Sequence, residues 1–222
     1  MTTHKYEELS AHMLVESLQE TSLVYFPVGS MEFHGPHLPL GLDTIHIYNY
    51  CLAAVEKTGG VVLPPTYWNA NGHVGYPGSM LVRESTFRAI VRDVFDLLAD
   101  NGVKLVVAST GHWPSKQGVT IARLAREATK KRPETKVIAL EPFGCHPSEQ
   151  EVDHAGELET ALMLAVRPDL VHMEMLDKVD DPLAGIGKDT AEGTAERGQA
   201  YLDASLACYV ETVKETLAEL SQ

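Results

Sequence analysis

"VKLVVASTGHWPSK" (103–116) decides the architecture. Its first eight residues form a short, β-branched apolar run, and such a run reads as a buried strand. Before it stands "RESTFRAIVRDVFDLLADNG" (83–102), in which Ile90, Val91, Val94, Leu97 and Leu98 recur at helical spacing and Asn-Gly closes the helix. After it comes a helix over about residues 116–131, ended by Pro133, and then a further strand, "KVIALE" (136–141). Outward from this unit the alternation continues. "SLVYFPVG" (22–29) reads as a buried strand, and "TIHIYNYCLAAVEK" (44–57) as a helix with Thr44 as N-cap and "GG" (59–60) as its stop. "VVLPP" (61–65) is a strand cut off by prolines. "ELETALMLAVRP" (157–168) is helical, and residues 190–220 make a long, mostly amphipathic closing helix. Strands alternating with helices predict an α/β fold with a parallel sheet covered on both faces. Ligands of such sheets sit beyond the carboxyl ends of the strands.

With 222 residues, 44% of them hydrophobic, the chain can bury one sizeable core. A single domain over 1–222 is expected, because no linker, low-complexity tract or internal repeat divides it. Thirty-one acids against 18 Lys and Arg give a net charge of −13, which opposes nucleic acid and anionic membranes as partners. The N-terminal "MTTHKYEELSAHM" lacks the basic flank and apolar run of a signal peptide, and no apolar segment could span a bilayer. Cys51, Cys145 and Cys208 form no CxxC pair. Their sparse, odd number predicts reduced thiols in a cytoplasmic protein.

The chemistry gathers where strands end. "VGSMEFHGPHLPLGLD" (28–43) packs Glu32, His34, His37 and Asp43 among glycines and prolines that exclude a regular helix. Glu32 and His34, two apart in an extended segment, share one face directly after the strand 22–29. Asp43 stands just before a helix, where capping would be its ordinary role. Two carboxylates and an imidazole also form the mixed O/N set that suits Zn, Mn or Fe. His112 follows the strand 103–110, and Gly111 beside it lets the backbone bend so that the ring points inward. In "DHAGELETALML" (153–164), His154 and Glu157 are three apart, within mutual reach, and with Glu159 form a further candidate cluster. The competing account is a helix cap at Asp153 with glutamates favoured by the helix N-terminus. "NANGHVGYPGSM" (69–80) adds His73 in a Gly-rich loop, a candidate for substrate contact. "AGIGKDT" (184–190) lacks the spacing and preceding strand of a phosphate loop. Four separate loops therefore offer His or carboxylate groups to one edge of the sheet, which local capping does not explain.

Taken in order, "GSMEFHGPHLPLGLD", "GHVGYPGS", "STGHWPSK" and "HAGELET", with "GIGKDTAEGTAERG" near the end, resemble the creatininase (creatinine amidohydrolase) family. The resemblance implies a three-layer α-β-α sandwich around a mainly parallel sheet, a two-metal site, hydrolysis of cyclic amides or formamides, and assembly as homo-oligomers, often hexamers. It further implies that Glu32 and His112 bind one divalent ion and His34 the other, with Asp43 bridging and His154 moving a proton. Creatininase itself has an acid two positions after the histidine of the "GH" motif. Here that position is Pro114, so the resemblance implies that Glu159 completes the second metal and that creatinine is not the substrate. Trp113 and Lys116, in the altered "WPSK", become candidates for substrate contact. Hydrolysis of a C–N bond in a small polar compound is the reading favoured. Hydrolytic C–C opening of an oxidised cyclitol and a metal-binding protein without turnover are the alternatives. Apolar positions of "TIHIYNYCLAAV" in excess of one helical stripe also point to an oligomer.

Overall fold

The computed structural model describes residues 3–73, 75–112, 116–145, 154–178 and 186–220. Its sheet comprises β1 (Leu23–Val28), β2 (Val61–Val62), β3 (Leu105–Thr110) and β4 (Lys136–Ala139), in the order β2-β1-β3-β4. Every pairing is parallel, with Leu23 opposite Leu105 and Val28 opposite Thr110 in the central pair. β1 and β3 are buried along their whole length, as the uninterrupted apolar runs predict. Among the described residues six α-helices accompany them: α1 (Ala11–Glu20), α2 (Leu42–Thr58), α3 (Glu84–Asp100), α4 (Lys116–Lys131), α5 (Glu157–Val166) and α6 (Ala195–Leu220).

Alternation along the strands builds the three layers. Val24, Phe26, Val28, Val106 and Ala108 face α3 and α4, packing on Phe87, Val91, Phe95, Ile121 and Leu124. Leu23, Tyr25, Leu105 and Val107 point the other way, onto Ile47, Tyr50 and Val55 of α2 and Tyr209 and Val213 of α6. Full burial of side chains this size contributes about 1.5–3 kcal/mol each, so both layers are held mainly by apolar area.

Several expectations are corrected. α2 begins at Leu42 behind Gly41, so Thr44 lies inside the helix and does not cap it. The Thr44 hydroxyl instead donates towards the carbonyls of Ser30 and Thr66, at 3.2 Å each, tying α2 to the loops after β1 and β2. Leu97, expected on the inner face of α3, is 59% exposed, whereas Phe87 and Phe95 carry the contact. Residues 190–192 form a 3-10 turn, and the closing helix starts only at Ala195. α1 has no counterpart in the sequence reading; the Ser10 hydroxyl caps it by accepting from the Met13 amide. The apolar excess of α2 is consumed within the chain between the sheet and α6. Cys145 and Cys208 are joined in a disulfide with their Cα atoms 5.4 Å apart, correcting the expectation of three reduced thiols; Cys51 remains a buried thiol. The pair is 63 residues apart in sequence, and only the packing of α6 against the turn after β4 brings it together. No helix among the described residues is long and apolar enough to cross a membrane.

Candidate metal centre

Two glycines let α2 descend onto the carboxyl edge of the sheet. Gly29 follows β1 and Gly111 follows β3. A Cβ on the first would collide with Thr44 and on the second with the Asp43 carbonyl. Asp43, in the first turn of α2, is thereby lowered between the two strand ends and is 1% exposed.

Its two oxygens face opposite ways. Oδ2 lies 2.9 Å from His112 Nδ1, which is also 2.9 Å from Glu32 Oε2. Oδ1 lies 3.0 Å from His34 Nε2, and Glu159 Oε2 stands 3.8 Å from that same nitrogen. Two buried triads result, Glu32–Asp43–His112 and His34–Asp43–Glu159, each able to hold an ion and joined through Asp43. A third grouping, Glu32–His34–His154, sits beside them.

The donor set fits divalent cations. Three carboxylates buried against two imidazoles leave an excess of negative charge in a place with little water to screen it. Glu32 Oε2 and Asp43 Oδ1 are buried without a hydrogen-bond partner among the described residues, although a ring nitrogen lies within 3.0 Å of each. Close approach without hydrogen-bond alignment is what ligand atoms around a shared ion show. Without an ion the imidazoles take up the charge. Burial opposes a proton on His112, yet the adjoining carboxylates of Asp43 and Glu32 raise it to about 10. Burial likewise opposes a proton on His34, and Asp43 followed by Glu159 raises it to about 9. Burial, reinforced by the charge of Asp43, pushes the Glu159 carboxyl above its usual range. Asp43 is held well below its usual range, because the charge of His34 and the hydrogen bond and charge of His112 outweigh its burial.

Supporting groups fix these atoms. His34 Nδ1–H donates to the Glu32 carbonyl at 3.0 Å, leaving Nε2 toward Asp43. The Ser30 hydroxyl donates to Asp43 Oδ2. The Ala155 amide donates to Glu159 Oε2 at 2.6 Å, from a residue with φ of 49°. His37, from the first cluster, is not brought to either triad; its Nε2 bonds Thr160 Oγ1 at 3.0 Å, next to Glu159. Gly72 lies so close to Glu32 that a Cβ there would stand 2.7 Å from Oε1. The His73 amide and Nδ1–H both donate to that oxygen, the ring at 2.9 Å.

His154 caps the arrangement. Its Nε2–H donates to the Phe33 carbonyl at 2.7 Å, and its ring stacks on His73 at 3.9 Å and tilts over His34 at 4.5 Å. Its Nδ1 is buried and has no hydrogen-bond partner among the described residues. The segment after residue 185 braces this loop: the Gly187 amide donates to the His154 carbonyl, and the Thr190 hydroxyl to the Ala155 carbonyl at 3.2 Å. That is the role the structure gives to the described part of "AGIGKDT", which sequence spacing had set aside only as a phosphate loop.

Glu32, His34, Asp43, His112, Glu159, His154 and His73 are thus brought together. Glu157 is not: its carboxylate pairs with Arg197 of α6, at 2.8 and 2.9 Å. One turn of helix separates successive contact positions, so residues two apart on α5 face different neighbours. Lys116 is exposed and lines a cleft of about 380 Å³ between α3 and α4, with Asn71, Arg88 and Arg123. Trp113, Pro114 and Asp153 lie outside the described residues. Ser30, Asn69 and Asn71 were missed. The alternation Asn69-x-Asn71-x-His73 was the available signal, because residues two apart in an extended loop can face one way.

Residues 7–213 match the family model described as creatininase, creatinine amidohydrolase. The chain is 27% identical over 184 residues to the creatinine amidohydrolase of Pseudomonas putida, covering 73% of this chain and 70% of that protein. It is 25% identical to the 3-dehydro-scyllo-inosose hydrolase of Thermotoga maritima, covering 76% of this chain and 58% of that protein. It is 30% identical over 154 residues to the mycofactocin precursor peptide peptidase of Mycolicibacterium smegmatis, covering 66% and 59%. Among solved structures, a creatinine amidohydrolase crystal structure superposes with a TM-score of 0.87 at 20% identity, covering 98% of this chain and 99% of that one. A zinc–zinc form of a creatininase variant and a manganese form each superpose at 0.85, at 19% and 20% identity.

Proposed function

Because this chain belongs to the creatininase family, a family of hydrolases, we propose that it is a dinuclear metal hydrolase that cleaves a C–N bond in a small polar compound. The observation that carries this is Asp43, whose two oxygens face two different buried triads. Zn, Mn or Fe suits such a mixed carboxylate and imidazole set. Glu32 and His112 would hold one ion, His34 and Glu159 the other, and Asp43 both. When bound, two such ions polarise a carbonyl and lower the pKa of a water toward neutrality.

The remaining work falls to this chain's own groups. His154 is pushed down to about 4, by burial first and then by the charges of His34 and His73, so it stands neutral with Nδ1 free. It takes a proton from the attacking water as the C–O bond forms and passes it to the nitrogen as the C–N bond breaks. The bond from Nε2–H to the Phe33 carbonyl keeps Nδ1 as the accepting atom. His73 stacks on this ring with about a third of its side chain exposed, which supports its reading as a substrate contact. Two of the three kinds of relative, an amidohydrolase and a peptidase, are named for C–N cleavage. The inosose hydrolase supports C–C ring opening as the second reading.

His154→Ala is expected to lower turnover by about 10² to 10⁴ with metal content unchanged. Product analysis separates the readings: an amide gives an amine and a carboxylate, whereas a cyclic diketone gives one keto acid. Activity on a keto-polyol with none on lactams, formamides or short peptides would replace C–N by C–C cleavage. Bound metal with no turnover on any of these would leave a non-catalytic binding protein. A homo-oligomer remains part of the proposal. Exposed Leu40, Trp68 and Met80, on segments around the centre, supply apolar area for it, and a stable monomer by light scattering at micromolar concentration would oppose it.

A further inference from the structure

The two imidazoles of the centre are anchored by different means. His34 is fixed by main chain, through Nδ1–H to the Glu32 carbonyl. His112 presents Nδ1 to Glu32 and Asp43, so a neutral ring that offers that lone pair to an ion carries its proton on Nε2. Two side-chain amides face Nε2: Asn71 Nδ2 at 3.2 Å and Asn69 Nδ2 at 3.5 Å. Asn69 is committed, because its Nδ2 already donates to the Asn71 carbonyl. The Asn71 side-chain amide makes no other hydrogen bond among the described residues, and a half-turn of that amide puts Oδ1 where Nδ2 stands. Two N–H donors do not pair, so a proton on His112 Nε2 requires that turn.

We propose that Asn71 is a positioning residue of the metal centre, its side-chain carbonyl accepting the Nε2–H of His112 and so holding the Nδ1 lone pair toward Glu32 and Asp43. The backbone of His112 is secured separately: its amide donates to Thr110 Oγ1 at 3.0 Å, and Gln117 Nε2 donates to that same oxygen. Ring orientation and tautomer are what remain for Asn71 to set. The same short loop also grips Glu32 through Gly72 and His73. Residues 69–73 therefore clamp two ligands of one triad and none of the other. Groups that orient a ligating histidine in this way are worth about 10- to 100-fold in metal affinity.

The test uses the purified full chain, stripped with chelator and titrated with Zn²⁺ against a chromophoric competitor. Asn71→Leu is expected to weaken one of two zinc sites about 10- to 100-fold and leave the other unchanged. Asn71→Asp, which keeps an acceptor at the same reach, is expected to retain wild-type affinity at both. Nitrogen NMR of the zinc-loaded, ¹⁵N-histidine-labelled protein gives a second readout. One Nε2–H imidazole signal should persist in wild type and Asn71→Asp and be lost from Asn71→Leu. Asn71→Ser, smaller and too short to reach, should repeat the leucine result if that variant folds poorly. Two unweakened sites with the same tautomer in Asn71→Leu and Asn71→Ser overturn the proposal. So does an Asn71→Asp as weak as the leucine variant. The proposal rests on the dinuclear reading, and the two fail differently: a wild-type chain that takes up no zinc defeats the centre itself.

Discussion

Replacing Asp43 by alanine removes the one residue shared by both triads. Each triad loses one of its three protein ligands at once, whereas His34→Ala removes a ligand from one triad alone. The difference can be read as metal-induced stabilisation, which at a free ion concentration of about 100 times Kd amounts to roughly 2.7 kcal/mol per occupied site. Two sites together give about 5.4 kcal/mol. A domain of this length gains about 2–4 °C in Tm per kcal/mol, so adding Zn²⁺ to the stripped wild type should raise Tm by about 10–20 °C. His34→Ala should keep roughly half of that shift, and Asp43→Ala close to none. Comparing each variant with its own stripped form cancels whatever the substitution does to the metal-free fold. Scanning calorimetry with and without zinc, beside elemental analysis, is the assay. An Asp43→Ala protein that retains one equivalent and half the wild-type shift would refute the bridging role, and with it the shared-ion reading of Oδ1 and Oδ2.

Three further outcomes are expected. Glu159→Gln should lose about one metal equivalent, because Glu159 is 2% exposed beside His34, while Glu157→Gln should keep both. A loss confined to Glu157→Gln would transfer the ligand role. Gly72→Ala should fold but bind the Glu32 ion at least about tenfold more weakly, since Glu32 is fully buried and cannot retreat from a new Cβ at 2.7 Å; unchanged zinc titration would refute that clash. In the stripped protein His37 and His46 are pushed down to about 4, by burial first, and stay neutral in the fold while the unfolded chain takes up protons near pH 6.5. Their stabilisation is therefore full above pH 6.5 and is lost as pH falls toward 4. Compared with a His37→Gln, His46→Gln double variant, the stripped protein should show in urea unfolding an extra loss of up to about 3 kcal/mol between pH 6.5 and 5, and equal pH slopes in the two proteins would contradict it.

Much of the fold was legible because its signals are local. Unbroken apolar runs at 23–28 and 105–110, helices between strands, and Gly59 ending α2 follow from periodicity and backbone preference within a few residues. The errors were local as well. Thr44 had the chemistry of a cap, yet the close approach allowed by Gly29 gave its hydroxyl to two loops instead. Leu97 matched the helical stripe by type, but Phe95 and Phe87 face the sheet and leave it outside.

By itself the sequence determined that carboxylates and imidazoles collect after several strands, and in a parallel α/β sheet those strand ends share one edge. It also determined the family, through motifs that recur in order. Tertiary structure alone decided which oxygen of Asp43 meets which ring, that Glu159 turns inward while Glu157 pairs with Arg197, and that Cys145 reaches Cys208. It alone placed Asn71 against His112, 41 positions away, and His154 against the Phe33 carbonyl, 121 positions away. The physical reason is one of range. Helix and strand periodicity fixes the face a residue presents over a few positions, but what meets that face depends on how whole layers pack, and no short-range pattern encodes it.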